Sequence, residues 1–265
     1  MITFLVPIRH PGSVPDWSLV RDLVATTLRS IAAQDHPDWA CYVALEAGAE
    51  IDSPPEGVRV ARTRIPDPHL PREMAARAAA VRRDKGARLV AALSAAVEDG
   101  RAAGHVMICD YDDLVSRRLA DHAAARPEAD GWTVERGHLW DGGRWTLLFP
   151  GVFHQLCGTS LIVHARHLTG PDGPLHRRDA ADRLLGSHKF LARDLAAAAT
   201  PLEPLPFPGA VYRMGTGVNA MNPRGLMRWV THPLRVRRHP TRQLRALAAM
   251  RRVGSSFRRE FMGAL

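Results

Sequence analysis

The chain is poor in cysteine, poor in lysine and, from residue 224 onward, almost without acid. Cys41, Cys109 and Cys157 form an odd, widely spaced set with no CxxC pair. That argues against a disulfide framework and a zinc site and suits a reducing cytoplasm. No run approaches the roughly 20 apolar residues of a membrane-spanning helix. The opening Met1-Ile2-Thr3-Phe4-Leu5-Val6-Pro7-Ile8-Arg9 has no basic leader, and its apolar stretch is too short for a secretory signal. Only Lys85 and Lys189 are lysines among 36 basic residues. With so many alanines, that bias fits GC-rich coding rather than a function.

The 265 residues are 46% hydrophobic and 24% charged, which excludes collagen, coiled coil and full disorder. That length suits one large domain, or one domain with an appendage. The net charge of +9 is unevenly placed. Residues 224–265 hold 11 arginines and one acid, Glu260, while residues 1–223 carry 25 basic and 26 acidic side chains. The body is neutral and the end of the chain is a polycation.

Thr3 to Ile8 reads as a buried strand closed by a Pro/Gly loop. Trp17 to Ala33 has a helical rhythm with Asp16 as N-cap. Strands follow at Trp39–Leu45 and Val58–Ala61. The Ala-rich stretch from Arg72 to Ala103 predicts helix with a break at Asp84-Lys85-Gly86. His105 to Cys109 is a short buried strand, and Leu114 to Ala125 returns to helix. This alternation predicts a parallel, doubly wound α/β layer. From Gly131 to Phe149, aromatic alternation around Asp141-Gly142-Gly143 predicts a hairpin. Ser160–Val163 reads as a strand, Leu184–Ala199 as a helix, and the end of the chain as one or two basic amphipathic helices.

The sharpest chemical signal is Asp110-Tyr111-Asp112-Asp113 at the end of the His105 strand. Ligands bind at that edge of open α/β sheets. Three acids in four residues repel one another unless a cation sits among them. Oxygen ligands suit Mg²⁺ or Mn²⁺, which bridge to phosphates. The competing reading is a helix cap formed by Asp112 and Asp113. A DxD-type phosphatase also places such acids after a strand, but on its first strand.

Four segments carry a resemblance to family 2 glycosyltransferases of the GT-A fold. Phe4-Leu5-Val6-Pro7-Ile8-Arg9 resembles that family's opening strand and nucleotide-binding loop. Leu28-Arg29-Ser30-Ile31-Ala32-Ala33-Gln34 is similar to its first helix. Asp84-Lys85-Gly86 resembles its glycine-containing segment, and Asp110-Tyr111-Asp112-Asp113 its DxDD motif. Together they span residues 1–125.

The resemblance implies a GT-A mixed α/β sheet flanked by helices over 1–223, with a nucleotide-binding half (1–113) and an acceptor half (114–223). A basic helical extension, 224–265, would follow. It implies a metal-dependent, inverting transfer of a sugar from a UDP- or GDP-linked donor to a hydroxyl of a glycan or lipid-linked acceptor. Pro7, Arg9, Glu46, Lys85, Asp110 and Asp112 become candidate donor contacts; Arg9 and Lys85 could equally be solvated surface charges. Asp112 and Asp113 become ligands of Mn²⁺ or Mg²⁺. Where the family has a carboxylate base, this chain has His188, a candidate base or metal ligand; Asp179 and Asp182 are rival bases. Trp132 and His138 fall at the acceptor pocket, although Trp132 and Trp140 also fit a hairpin core.

The 11 arginines interleaved with leucines suggest helices that bind an anionic membrane surface, at the inner face of the cell membrane. A solvated segment packing one apolar stripe on the body is the plainer reading. Nucleic acid is disfavoured, since no recognised motif is present. A non-catalytic membrane- or nucleic-acid-binding module is the remaining alternative to an enzyme.

Overall fold

The computed structural model describes residues 1–149, 151–171, 185–217, 225–233 and 240–263. The chain begins with β1 (Ile2–Pro7), α1 (Trp17–Ala32), β2 (Trp39–Glu46), β3 (Val58–Thr63), α2 (Met74–Glu98) and β4 (His105–Ile108). After the acidic cluster come β5 (Leu114–Val115), α3 (Leu119–Ala125), β6 (Gly131–Thr133), β7 (Gly137–Trp140) and β8 (Trp145–Phe149). Then follow β9 (Leu161–His164), α4 (Arg166–Thr169), α5 (His188–Ala197), β10 (Glu203–Pro204) and β11 (Ala210–Arg213). The basic end of the chain forms α6 (Leu226–Val230), α7 (Pro240–Ala248), β12 (Met250–Arg252) and α8 (Ser255–Phe261).

The fold is mixed α/β, with two mixed sheets flanked by helices. The larger sheet runs β10-β6-β9-β4-β1-β2-β3. β3, β2, β1 and β4 are mutually parallel, whereas β9 is antiparallel to β4 and β6. The expected all-parallel layer therefore holds for half the sheet only. Alternation along β1 decides which helix covers which face. Ile2, Phe4 and Val6 pack with Val20, Val24 and Leu28 of α1, while Leu5 packs with Leu89 and Leu93 of α2.

Local signals explain α1. The Asp16 carboxylate accepts from the backbone N–H of Ser18 at 2.9 Å and of Leu19 at 3.4 Å. Helix α2, by contrast, runs unbroken through the expected break. A helical glycine costs only about 1 kcal/mol. Gly86 is buried, and Arg88 Nε bonds Asp84 Oδ1 at 3.0 Å across it.

Leu114 and Val115 are strand rather than the expected helix. Both are buried, and they pair antiparallel with Val211 and Ala210, so α3 starts only at Leu119. The smaller sheet runs β12-β8-β7-β11-β5. Its β7–β8 hairpin turns at Asp141–Gly143 as expected, but Trp132 lies outside it, in β6 of the larger sheet.

The basic segment forms helices, as expected, and adds a strand. β12 pairs with β8, and Phe257 and Phe261 of α8 pack on Leu114, Val211 and Trp140. Glu260 Oε1 accepts from Ser116 Oγ and from Arg118 Nε. Among the described residues, no helix is long and apolar enough to cross a membrane.

Candidate active site

A cavity of about 260 Å³ opens where β1 and β4 end. Pro7 and Arg9 reach it from β1, and Asp110, Tyr111 and Asp112 from β4. Helix α2 contributes Asp84, Lys85 and Arg88, the start of α5 contributes His188, and β11 contributes Tyr212. The chain thus gathers Pro7, Arg9, Lys85, Asp110, Asp112 and His188, all singled out in the sequence, around one space.

The three acids divide their roles. Asp110 is paired with Lys85, whose Nζ donates to Oδ1. Burial works against both charges. For Asp110, the Lys85 charge and hydrogen bond outweigh it and hold the carboxyl below its ordinary range. For Lys85, Asp110 likewise outweighs burial and raises the ammonium. Asp112 feels Arg9 and Arg213, but more weakly than it feels burial and Asp110. Burial, then the Asp110 charge, pushes it up to about 6 against the pull of Arg9. Its Oδ2 accepts from Thr216 Oγ1 at 3.3 Å.

Asp113 does not line the cavity. Its Oδ2 accepts from Thr159 Oγ1 at 2.6 Å and Cys157 Sγ at 3.2 Å, and its Oδ1 from the backbone N–H of Arg213 at 3.2 Å. It ties the β4 loop to the 157–159 segment and β11. Burial, then Asp112 and Asp110, raises its pKa well above the ordinary carboxylate range. The expected three-ligand set of Asp112, Asp113 and His188 is not assembled. Among the described residues, no three His, Cys, Asp or Glu side chains are grouped to hold a metal ion.

His188 opens α5. Burial, then the Lys85 charge, lowers its pKa to about 4, so the imidazole is neutral at pH 7. Among the described residues its buried Nε2 has no hydrogen-bond partner, nor do the buried Arg88 Nη2 and Tyr111 Oη. Buried polar atoms are normally satisfied. All three belong to residues that line the cavity, although the His105–Trp132 cluster holds such atoms as well.

The sequence reading missed Arg88, Tyr111 and Gly158. Arg88 lies three residues after Lys85, a spacing that puts both on one side of a continuous helix. Gly158 sits under the ion pair: a Cβ there would lie 2.4 Å from Asp110 Oδ2 and 3.0 Å from Lys85 Nζ.

Three other candidates lie elsewhere. Glu46 Oε2 accepts from Thr63 Oγ1 and the Ile65 N–H, each at 3.1 Å, and from Arg88 Nη1 at 3.3 Å. It therefore holds Arg88 rather than facing this cavity; it borders a shallow depression beside Trp17 and Arg21. Trp132 is fully buried, its ring 4.6 Å from that of His105 and 4.7 Å from that of His122. That is the core reading, not an open acceptor pocket. His138 packs against Phe257 and Phe261, at 5.2 and 5.4 Å. Asp179 and Asp182 lie outside the described residues.

No family model matches the chain, and no curated protein matches it. Among solved structures it is similar to S. aureus TarS 1–349, at 14% sequence identity and a TM-score of 0.45. The match covers 80% of this chain and 60% of that one. Likeness at that depth assigns neither a family nor an activity, so the chemistry has to come from the cavity itself.

Proposed function

We propose that the cavity is the donor site of a GT-A-type glycosyltransferase that uses a nucleotide sugar. One observation carries this reading. Five of the six residues expected to contact the donor, Pro7, Arg9, Lys85, Asp110 and Asp112, line a single cavity together with His188, the candidate base, at the C-terminal edge of parallel strands.

A departing nucleoside diphosphate gathers negative charge. Arg9 and the ion-paired Lys85 and Arg88 bring N–H donors and cationic groups to the space where it would form. Asp112 fits a dication. It is buried and lines the cavity, and one carboxylate with substrate phosphates is enough for Mg²⁺ or Mn²⁺. Such an ion supplies Lewis-acid neutralisation of the leaving diphosphate. Asp110 is committed to Lys85 and keeps that ammonium at the cavity wall. The neutral imidazole of His188, with Nε2 unpartnered, is the candidate to take the proton of an attacking acceptor hydroxyl, which gives inversion by single displacement. The acceptor class that goes with this reading is a glycan or a lipid-linked sugar.

Calorimetry with UDP and GDP, with and without Mn²⁺, tests the proposal. Binding that requires the metal and disappears in Asp112→Asn supports it. Absence of nucleoside diphosphate binding under both conditions, or binding indifferent to Asp112→Asn, refutes it. Release of phosphate from simple monoesters would favour a phosphatase instead.

A further inference from the structure

Helix α7 turns Gln243 and Ala246 inward and leaves its leucines outward. Gln243 is only 4% exposed and its Oε1 has no partner, while Leu244 is 65% and Leu247 41% exposed. A surface helix normally turns its leucines to the core and its amides to water. Here Leu244, Leu247 and Ala248, at i, i+3 and i+4, form an outward apolar strip. The strip does not stand alone. Helix α6 packs against α7 and β8, and its Met227 is 48% exposed. Trp145, at the start of β8, is 47% exposed and lies opposite Arg252 of β12.

The elements that carry this strip are also cationic. Arg228, Arg245, Arg251 and Arg252 are all exposed. Glu260, the single acid of residues 224–265, is turned away onto Ser116 and Arg118. We propose that this face docks on an anionic lipid bilayer. Leu244, Leu247 and Trp145 enter the boundary between headgroups and acyl chains, and the arginines lie against lipid phosphates.

Charge complementarity selects this occupant. A second copy of the chain would press one arginine cluster onto another. A nucleic acid would neutralise the arginines but offer the leucines nothing, since its affinity comes from phosphate contacts. The proposal does not depend on the glycosyltransferase reading. In the smaller sheet β12 and β8 form the edge, and Tyr212 of β11, which borders the cavity, is two strands further in.

The test is co-sedimentation of the full chain with two kinds of vesicle: phosphatidylcholine alone, and phosphatidylcholine mixed with phosphatidylglycerol. Binding is expected only to the mixed vesicles, weakening as salt rises. The double variant Leu244→Ser, Leu247→Ser is expected to lose about tenfold in affinity with an unchanged circular dichroism melt, because both side chains are exposed. Brominated lipid is expected to quench Trp fluorescence, less so in Trp145→Phe. Three results would overturn the proposal. One is vesicle binding that the leucine variant leaves intact. A second is a concentration-dependent dimer, dispersed by that variant, with no vesicle binding. The third is binding to RNA or duplex DNA with no vesicle binding.

Discussion

Strand β4 carries titratable groups at both of its ends, and the two ends differ. At its start, His105 is buried against Trp132 and His164, with Nε2 bonded to the Ala129 carbonyl oxygen at 2.8 Å. At its finish, Asp110 and Asp112 meet Lys85, Arg9 and His188 around a cavity. Burial lowers His105 to about 4, and burial with the Lys85 charge lowers His188 to the same value. A displaced pKa by itself therefore marks no site. What separates the ends is the space left open and the opposite charges gathered beside it; buried polar atoms without a partner among the described residues occur at both.

The largest effect expected from this contrast falls on Asp112. Asp112→Asn should cost on the order of 10²–10³-fold in sugar transfer, and in metal-dependent nucleotide binding, with no loss of Tm. A melt and a donor-consumption assay on the same preparation check both halves. A variant that unfolds would move Asp112 into the class of His105, a residue of the frame.

The other end of β4 should answer to pH rather than to ligand. Folded His105 is held near 4, against an ordinary value of 6.5. The unfolded chain therefore binds more protons in that window, and stability must fall as pH drops. The His105 contribution is complete above about pH 6.5 and lost as pH descends through about 4, with an upper bound of about 3 kcal/mol. Urea melts across that range check it, and His105→Gln should flatten the dependence.

Lys85 belongs to both classes, because it lines the cavity and also neutralises Asp110. Lys85→Met should destabilise the fold by about 2 kcal/mol, since it strands a mostly buried carboxylate. Adding Asp110→Asn should restore most of that stability without restoring transfer. Recovery of activity in the double variant would show that the ammonium serves only to balance Asp110.

How much of this was legible in the sequence follows from how local each signal is. The Asp16 cap and the α1 rhythm are contained in a few residues, and both are observed. The strand at Leu114–Val115 reads as helix because its partners, Ala210 and Val211, lie far along the chain. Asp84-Lys85-Gly86 reads as a break because the Asp84–Arg88 bond spanning it exists only once the helix is formed. Arg88 was hidden for the same reason: its place beside Lys85 depends on that unbroken turn. The donor-side candidates were readable because parallel strands deliver their C-terminal ends to one edge. Asp113 was misplaced because adjacent acids look alike until Thr159 and Cys157 claim one of them.

Trp132 gives the mildest and most discriminating test of the contrast. The aromatic run from Trp132 to Leu147 looks like one hairpin, and an aromatic face beside a sugar site is chemically attractive. Gly131 and Trp132 pair instead with Val163 and Ile162 in the larger sheet, which places the indole inside the His105 cluster. Its Nε1 is buried without a partner. Trp132→Phe would remove that unsatisfied donor, which offsets part of the lost packing. The expected cost is therefore at the low end for a core truncation, about 1 kcal/mol, with transfer and nucleotide affinity unchanged. A rise in acceptor KM or a fall in kcat at unchanged Tm would return Trp132 to the acceptor side, and would mean that the two ends of β4 communicate.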